Sequence, residues 1–334
     1  MTKKIEMNML RTRAKKAEDV TEEMWNQVRK EHRELVEEYV DISTHLAPVT
    51  KKQYLSGLRH FFWWVHEVLN DKPLQKISKR DFMRYMSFMQ GRGLSSSGMQ
   101  FKKSAVSAFN IHIENIIAED DPDIYGTFRN FTKGLQPIPK NQVYSKEVIT
   151  KDDYKLMINT LLDDENYLAV AWVATAFNVG ARRAEILKLK TEILDYNIPE
   201  GQNYVTSHTL MGKGKGGGKP IEYMINREAL KYMQLWIDKR GYDHEYIFTV
   251  KYSGVMDVVS NSWANTLCTD VLSDIIGRRI NPHIFKSSCI TNLLEEGVDM
   301  NLVSKFVAQH NDIATTSTFY DLRNFEDEKS QIFK

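Results

Sequence analysis

Two prolines spaced by one residue, in Gln136-Pro137-Ile138-Pro139-Lys140-Asn141, interrupt the chain near the middle of its 334 residues. Each proline fixes its own φ and pushes the preceding residue out of the helical region, so no helix runs through this segment. The length suffices for two cores. The boundary is placed at 136–146.

Before it, apolar residues recur at helical spacing with no strand signal. Thr21 is positioned to cap a helix to about Val40, and Thr50 one carrying Tyr54, Leu58, Phe61, Phe62, Val65 and Leu69. Ser78 with Asp81 has the form of a capping box, and Ser95 to Ser97 open a further helix. Residues 3–16 carry six basic side chains against one acid, Glu6, which reads either as a solvated helix start or as a phosphate-touching arm.

After the boundary the pattern is mixed. Thr150 with Asp153 caps a helix, Tyr167 to Val179 is strongly apolar, and Gly180 leads into a helix through Leu189. Asn203–Ser207 and Ile221–Ile225 alternate like strands around the glycine-rich turn Met211–Pro220, predicting a β-hairpin with a basic tip. Helices are expected over 228–237 and 262–276, with a short strand at 246–248. Others start near His283 and end near Gln309, and Asn311–Thr318 is expected to be a loop.

Several chemistries fall away. No apolar run reaches transmembrane length and the basic N-terminus lacks an apolar core, so a cytoplasmic, non-membrane protein is expected. Cys268 and Cys289 lack zinc spacing, and no metal or cofactor is implied. Gly218-Lys219 precedes Pro220 rather than Ser or Thr, which argues against a P-loop. The net charge of +1 means that nucleic-acid binding needs clustered basic residues. What remains is Arg182, Lys213, His283, Lys286, His310 and Tyr320. Read singly, these are ordinary surface or core residues; together they suit phosphodiester transfer to a tyrosine.

Their order resembles the tyrosine recombinases, which include phage integrases and Xer-type resolvases, over residues 45–325. Gly180-Ala181-Arg182-Arg183-Ala184-Glu185 is similar to the family's G-x-R-x-x-E, Gly212-Lys213-Gly214 to its hairpin G-K-G, and His283-Ile284-Phe285-Lys286 to its H-x-x-R. Thr50-Lys51-Lys52-Gln53-Tyr54 with Phe61-Phe62-Trp63-Trp64 resembles the opening helix of the core-binding domain. The resemblance implies a mainly α fold with a small antiparallel β-sheet. Its expected parts are a basic, helical extension (1–40), a helical SAM-like core-binding domain (41–135), the linker (136–146) and an α+β catalytic domain with a C-terminal tail (147–334).

The resemblance also implies roles. Tyr320 is the nucleophile; Arg182, His283, Lys286 and His310 serve the phosphate; Lys213 is the general acid; Glu185 supports Arg182. Lys51, Lys52, Arg59, Arg84, Arg92, Lys102, Lys103, Lys215 and Lys219 are the candidate DNA contacts. The implied partners are double-stranded DNA and further copies of the chain, two per site and four in a synapse, with room for a directionality factor. Three positions depart from the pattern: Lys286 for arginine, Gln309 for glycine, and ten residues rather than nine from His310 to Tyr320. Two functions follow, a site-specific recombinase of a phage or mobile element, or a recombinase-like DNA-binding regulator with reduced or lost cleavage. A type IB topoisomerase would use the same chemistry.

Overall fold

A computed structural model of the protein describes residues 19–138, 147–212 and 218–323. They divide into two compact units, one of residues 19–138 and one of 147–212 with 218–323. The basic residues 3–16, most of the expected linker, Lys213, Lys215 and the tail beyond 323 lie outside the described residues.

In the first unit Thr21 caps α1 (Glu22–Gln27), its hydroxyl accepting the Met24 N–H at 3.2 Å. The single helix expected to Val40 breaks at Val28 and Arg29, where the Arg29 N–H donates to the Asp71 carboxylate at 3.0 Å, and α2 (Lys30–Ile42) follows. Helix α3 (Pro48–Leu69) starts before the expected Thr50 cap, with Pro48 in its first turn, where a missing N–H costs nothing. Helix α4 (Lys79–Gly91) opens on the expected Ser78–Asp81 capping box. Helix α5 (Ser96–His112), capped by Ser95, continues through the π turn Ile113–Ile117, and α6 (Pro122–Tyr125) follows. The core is aromatic. Phe61 contacts Phe62, Phe82, Tyr85 and Phe131 at ring separations of 5.1, 5.7, 5.1 and 6.0 Å. Burying each such ring contributes about 1.5–3 kcal/mol.

The second unit begins with α7 (Lys151–Asp163), capped by the Thr150–Asp153 box, and α8 (Tyr167–Val179). Helix α9 (Arg183–Ile186) is a single turn, shorter than expected. The expected hairpin is two successive antiparallel pairs: β1 (Tyr204–Thr206) with β4 (Met224–Asn226), and β2 (Leu210–Gly212) with β3 (Lys219–Ile221). Met211 and Pro220, assigned to the turn by sequence, are paired in register within it. Helix α10 (Arg227–Arg240) leads to a hairpin that the sequence did not reveal, β5 (Thr249–Tyr252) with β6 (Val255–Val258). Tyr246, expected in a strand, makes one bridge to Lys190.

Helix α11 (Asn261–Thr266) runs on through a π turn to Ile276, and α12 (Pro282–Glu295) follows. Then come α13 (Met300–Leu302), extended by the π turn Val303–Val307, and α14 (Ile313–Phe319), which replaces the expected loop. Helix α8 is buried on almost every side and packs on α10 and α12, with Trp172 edge-on to Phe285 at 5.4 Å. No helix among the described residues is long and apolar enough to cross a membrane.

Candidate active site

The site is assembled where α8 ends. Gly180 turns the chain with φ of 67°. A Cβ there would lie 2.9 Å from Val307 Cγ1 and 3.1 Å from Cys289 Sγ, so the turn requires glycine. Two residues later Arg182 opens α9. Its backbone N–H donates to Glu185 Oε2 at 3.0 Å, and its Nη1 to Glu185 Oε1 at 3.2 Å. Buried Glu185 also accepts the Tyr223 hydroxyl at 2.5 Å. A carboxylate held from three sides fixes the guanidinium it binds. Tyr223 had no assignable role in the sequence; its partner is contributed by a distant helix turn.

Tyr320 follows the last residue of α14, and its backbone carbonyl accepts the Thr291 hydroxyl at 2.8 Å. Its own hydroxyl is 3.3 Å from His283 Nε2. Its ring centroid is 4.6 Å from that of His310 and 5.5 Å from that of His283, so the two histidines flank it. Burial raises the pKa of the phenol, and Arg182 opposes that rise. His283 has one side open to solvent. Crowding on the other side, then the charges of Lys286 and Arg182, lower its pKa and favour neutral imidazole.

His310 is tied from behind. Its Nδ1 is 2.8 Å from Thr316 Oγ1, and Thr316 donates to Ser304 Oγ at 2.8 Å. The Thr316 hydrogen is therefore committed, which makes His310 Nδ1 the donor and leaves the lone pair on Nε2. Burial, followed by Lys286, Arg182 and Lys219, holds the His310 pKa down at about 4. The preceding residue, Gln309, sits at φ 57°, the left-handed region that glycine adopts without strain. Its side chain compensates by donating to the Glu222 carbonyl at 2.7 Å and the Phe306 carbonyl at 3.1 Å.

Lys286 is brought to this cluster but turned inward. It is 1% exposed, and its Nζ donates to the carbonyls of Gly180 at 3.0 Å and Ala308 at 2.8 Å. Burial, with Arg182 adding to it, lowers its pKa to about 7. An open pocket at His310 is lined by Arg182, Gly212, Lys219, Ile221, Gln309, His310, Asn311, Asp312 and Thr315, with neither Tyr320 nor Lys286 in its lining. The Asp312 carboxylate in that pocket is engaged as the N-cap of α14, accepting the Ala314 N–H at 2.9 Å. No group of three or more metal-ligating side chains occurs among the described residues.

The remaining basic candidates lie in the first unit. Lys52 and Arg84 are exposed. Lys51 Nζ donates to the Asp41 carbonyl at 2.9 Å. Arg59 pairs with Glu22 and stacks 5.2 Å over Trp25, so its fork is occupied internally. Arg92 lies over the Phe88 ring at 5.5 Å. Burial, then the charge of Lys102, holds the His60 pKa down at about 4, with Asp19 opposing.

Residues 147–326 match the model of the phage integrase family. The SPbeta prophage-derived recombinase-like protein YomM of Bacillus subtilis (strain 168) is 62% identical over 334 residues, 100% of each chain. Tyrosine recombinase XerC of Staphylococcus carnosus (strain TM300) is 22% identical over 284 residues, 82% of this chain and 87% of the relative. Among solved structures, the Tn1549 transposon integrase in complex with circular intermediate DNA has a TM-score of 0.63 at 15% identity, covering 90% of this chain and 98% of its own. The XerH site-specific recombinase bound to palindromic difH substrate has a TM-score of 0.61 at 15% identity, covering 97% and 94%. The expected mainly helical fold with small antiparallel sheets is thereby shown.

Proposed function

The chain belongs to the phage integrase family, and from that premise we propose that it cuts and rejoins double-stranded DNA at specific sites through a 3′-phosphotyrosyl intermediate on Tyr320. The observation that carries this reading is the placement of the Tyr320 hydroxyl 3.3 Å from His283 Nε2, with its ring against His310, which lines a pocket together with Arg182.

In the forward step the Tyr320 oxygen attacks phosphorus in line. The O–P bond forms as the bond to the 5′ oxygen breaks. The phenolic proton passes to neutral His283, and Lys213, which follows β2 in sequence, supplies the proton that the departing 5′ oxygen takes up. Arg182, fixed by Glu185, holds a non-bridging oxygen and balances the charge that develops there. An arriving phosphate raises the pKa of His310, so that its protonated Nε2 donates to the second oxygen. Rejoining reverses these steps.

The first unit is the core-binding domain in this reading and the second the catalytic domain. Lys52, Arg84, Arg92, Lys102 and Lys103 contact backbone phosphates. The Tn1549 integrase and XerH structures are complexes with DNA, which supports DNA as the partner; in this reading several copies of the chain assemble on it. The prophage origin of YomM supports service to a prophage or mobile element.

A nicked duplex that loses its 5′ fragment on cleavage traps the covalent product. Wild type should give a protein–DNA adduct with such a form of its site, and Tyr320→Phe none; an adduct-free wild type would sink the reading. A second reading, a DNA-binding regulator without cleavage, rests on Lys286, whose ammonium is enclosed and leaves the pocket without the planar fork of a second arginine beside Arg182. Under that reading Tyr320→Phe binds and regulates like wild type, and wild type exchanges no strands.

A further inference from the structure

The inward turn of Lys286 raises the question of which group supplies the second positive charge for a phosphate. Arg182 and Lys219 are the cations among the described residues lining the pocket. Lys219 is held there from two directions. It pairs with Gly212 at the open end of the β2–β3 ladder. Its Nζ also crosses to the turn around His310, donating to the Gln309 carbonyl at 2.9 Å and to Asn311 Oδ1 at 2.8 Å. Those acceptors flank His310 in sequence, so the ammonium is fixed relative to the histidine rather than swinging on a free stem. An ammonium has three N–H donors, and these contacts take two.

We propose that Lys219 is the second fixed cation of the pocket, donating its third N–H to a non-bridging oxygen of the scissile phosphate opposite Arg182, while Lys286 acts as an internal tie. The proposal rests on the phosphate-site reading above. A phosphodiester brings one negative charge and gains more as phosphorus becomes five-coordinate. Arg182 and Lys219 together match that charge. Lys286 holds the carbonyl end of α8 against the end of the Val303–Val307 turn, so the two segments carrying Arg182 and His310 face one phosphate.

The test does not need cleavage. A binding site is selected from a random-sequence duplex pool with Tyr320→Phe protein, and single methylphosphonates, which remove the charge of one phosphate, are placed along it in turn. At one position the substitution should weaken Tyr320→Phe binding about tenfold, and that loss should shrink when Arg182→Met is added. It should shrink likewise with Lys219→Met and return with Lys219→Arg. Full interference in the Lys219→Met protein at the position where Arg182→Met reduces it would overturn the proposal. Absence of an adduct from wild type on the nicked duplex would instead overturn cleavage and leave this contact to be read by binding.

Discussion

The two units set the charged groups proposed to meet DNA in different surroundings. In the first, the core holds edge-to-face aromatic rings and such cations lie at or near the surface, as the exposed Lys52 and Arg84 do. In the second, Glu185, Lys286, Ser304 and Thr316 are buried, and each is tied to groups distant in sequence. Surface charges act additively and are screened by salt. Buried ones act through geometry, and removing one partner leaves another unsatisfied. The difference teaches that single substitutions should be graded in the first unit and decisive in the second.

The largest expected effect is that of Arg182→Ala. Loss of one preorganised charge partner should lower single-turnover cleavage about 10²–10³-fold, well beyond its effect on DNA affinity, which should fall no more than about tenfold. A comparable loss from Lys52→Ala would break the contrast. Next is Lys286→Met, which leaves the carbonyls of Gly180 and Ala308 without their donor. Denaturant unfolding should show about 2–4 kcal/mol less stability, against less than about 0.5 for Lys52→Met.

The Lys286 tie also has a pH signature. The folded pKa of about 7 lies below the unfolded value, so the unfolded chain binds more protons between the two. This group's penalty is full below pH 7 and is relieved as pH rises toward the unfolded pKa. Stability measured from pH 7 to 9 should therefore rise in wild type relative to Lys286→Met.

A smaller effect is expected at His310. Its pKa of about 4 in the free protein rises when phosphate arrives, so binding takes up a proton. Affinity for the site should strengthen as pH falls from 7.5 to 5.5, and His310→Phe should flatten that dependence. Thr316→Val, which removes the acceptor fixing the ring, should reduce it. The smallest effects belong to the first unit. Lys102→Ala and Lys103→Ala should each weaken binding a few-fold and lower the salt slope by about one.

Local signals were legible in the sequence. The capping boxes at Ser78 and Thr150 depend on residues three apart, and both form. The grouping of Arg182, His283, His310 and Tyr320 followed from motif order, and the structure brings the four together. Partners supplied by the tertiary fold were not legible. Lys286 and His283 are three apart on one helix, yet one faces solvent and the other two carbonyls, because the end of α8 lies against α12. The Thr316–Ser304 pair behind His310 and the reach of Lys219 to Asn311 join segments separated in the chain. The break at Arg29 depends on Asp71, and helix α14 absorbs the ten-residue step to Tyr320 that spacing alone assigned to a loop.

That step makes the identity of the attached residue the most direct test. The trapped adduct from a nicked duplex is digested with protease and nuclease, and the nucleotide-bearing peptide is sequenced by mass spectrometry. The phosphate should be on Tyr320, the phenol that His283 and His310 flank. Attachment to any other residue, or no adduct from wild type, would contradict the proposed role of this site.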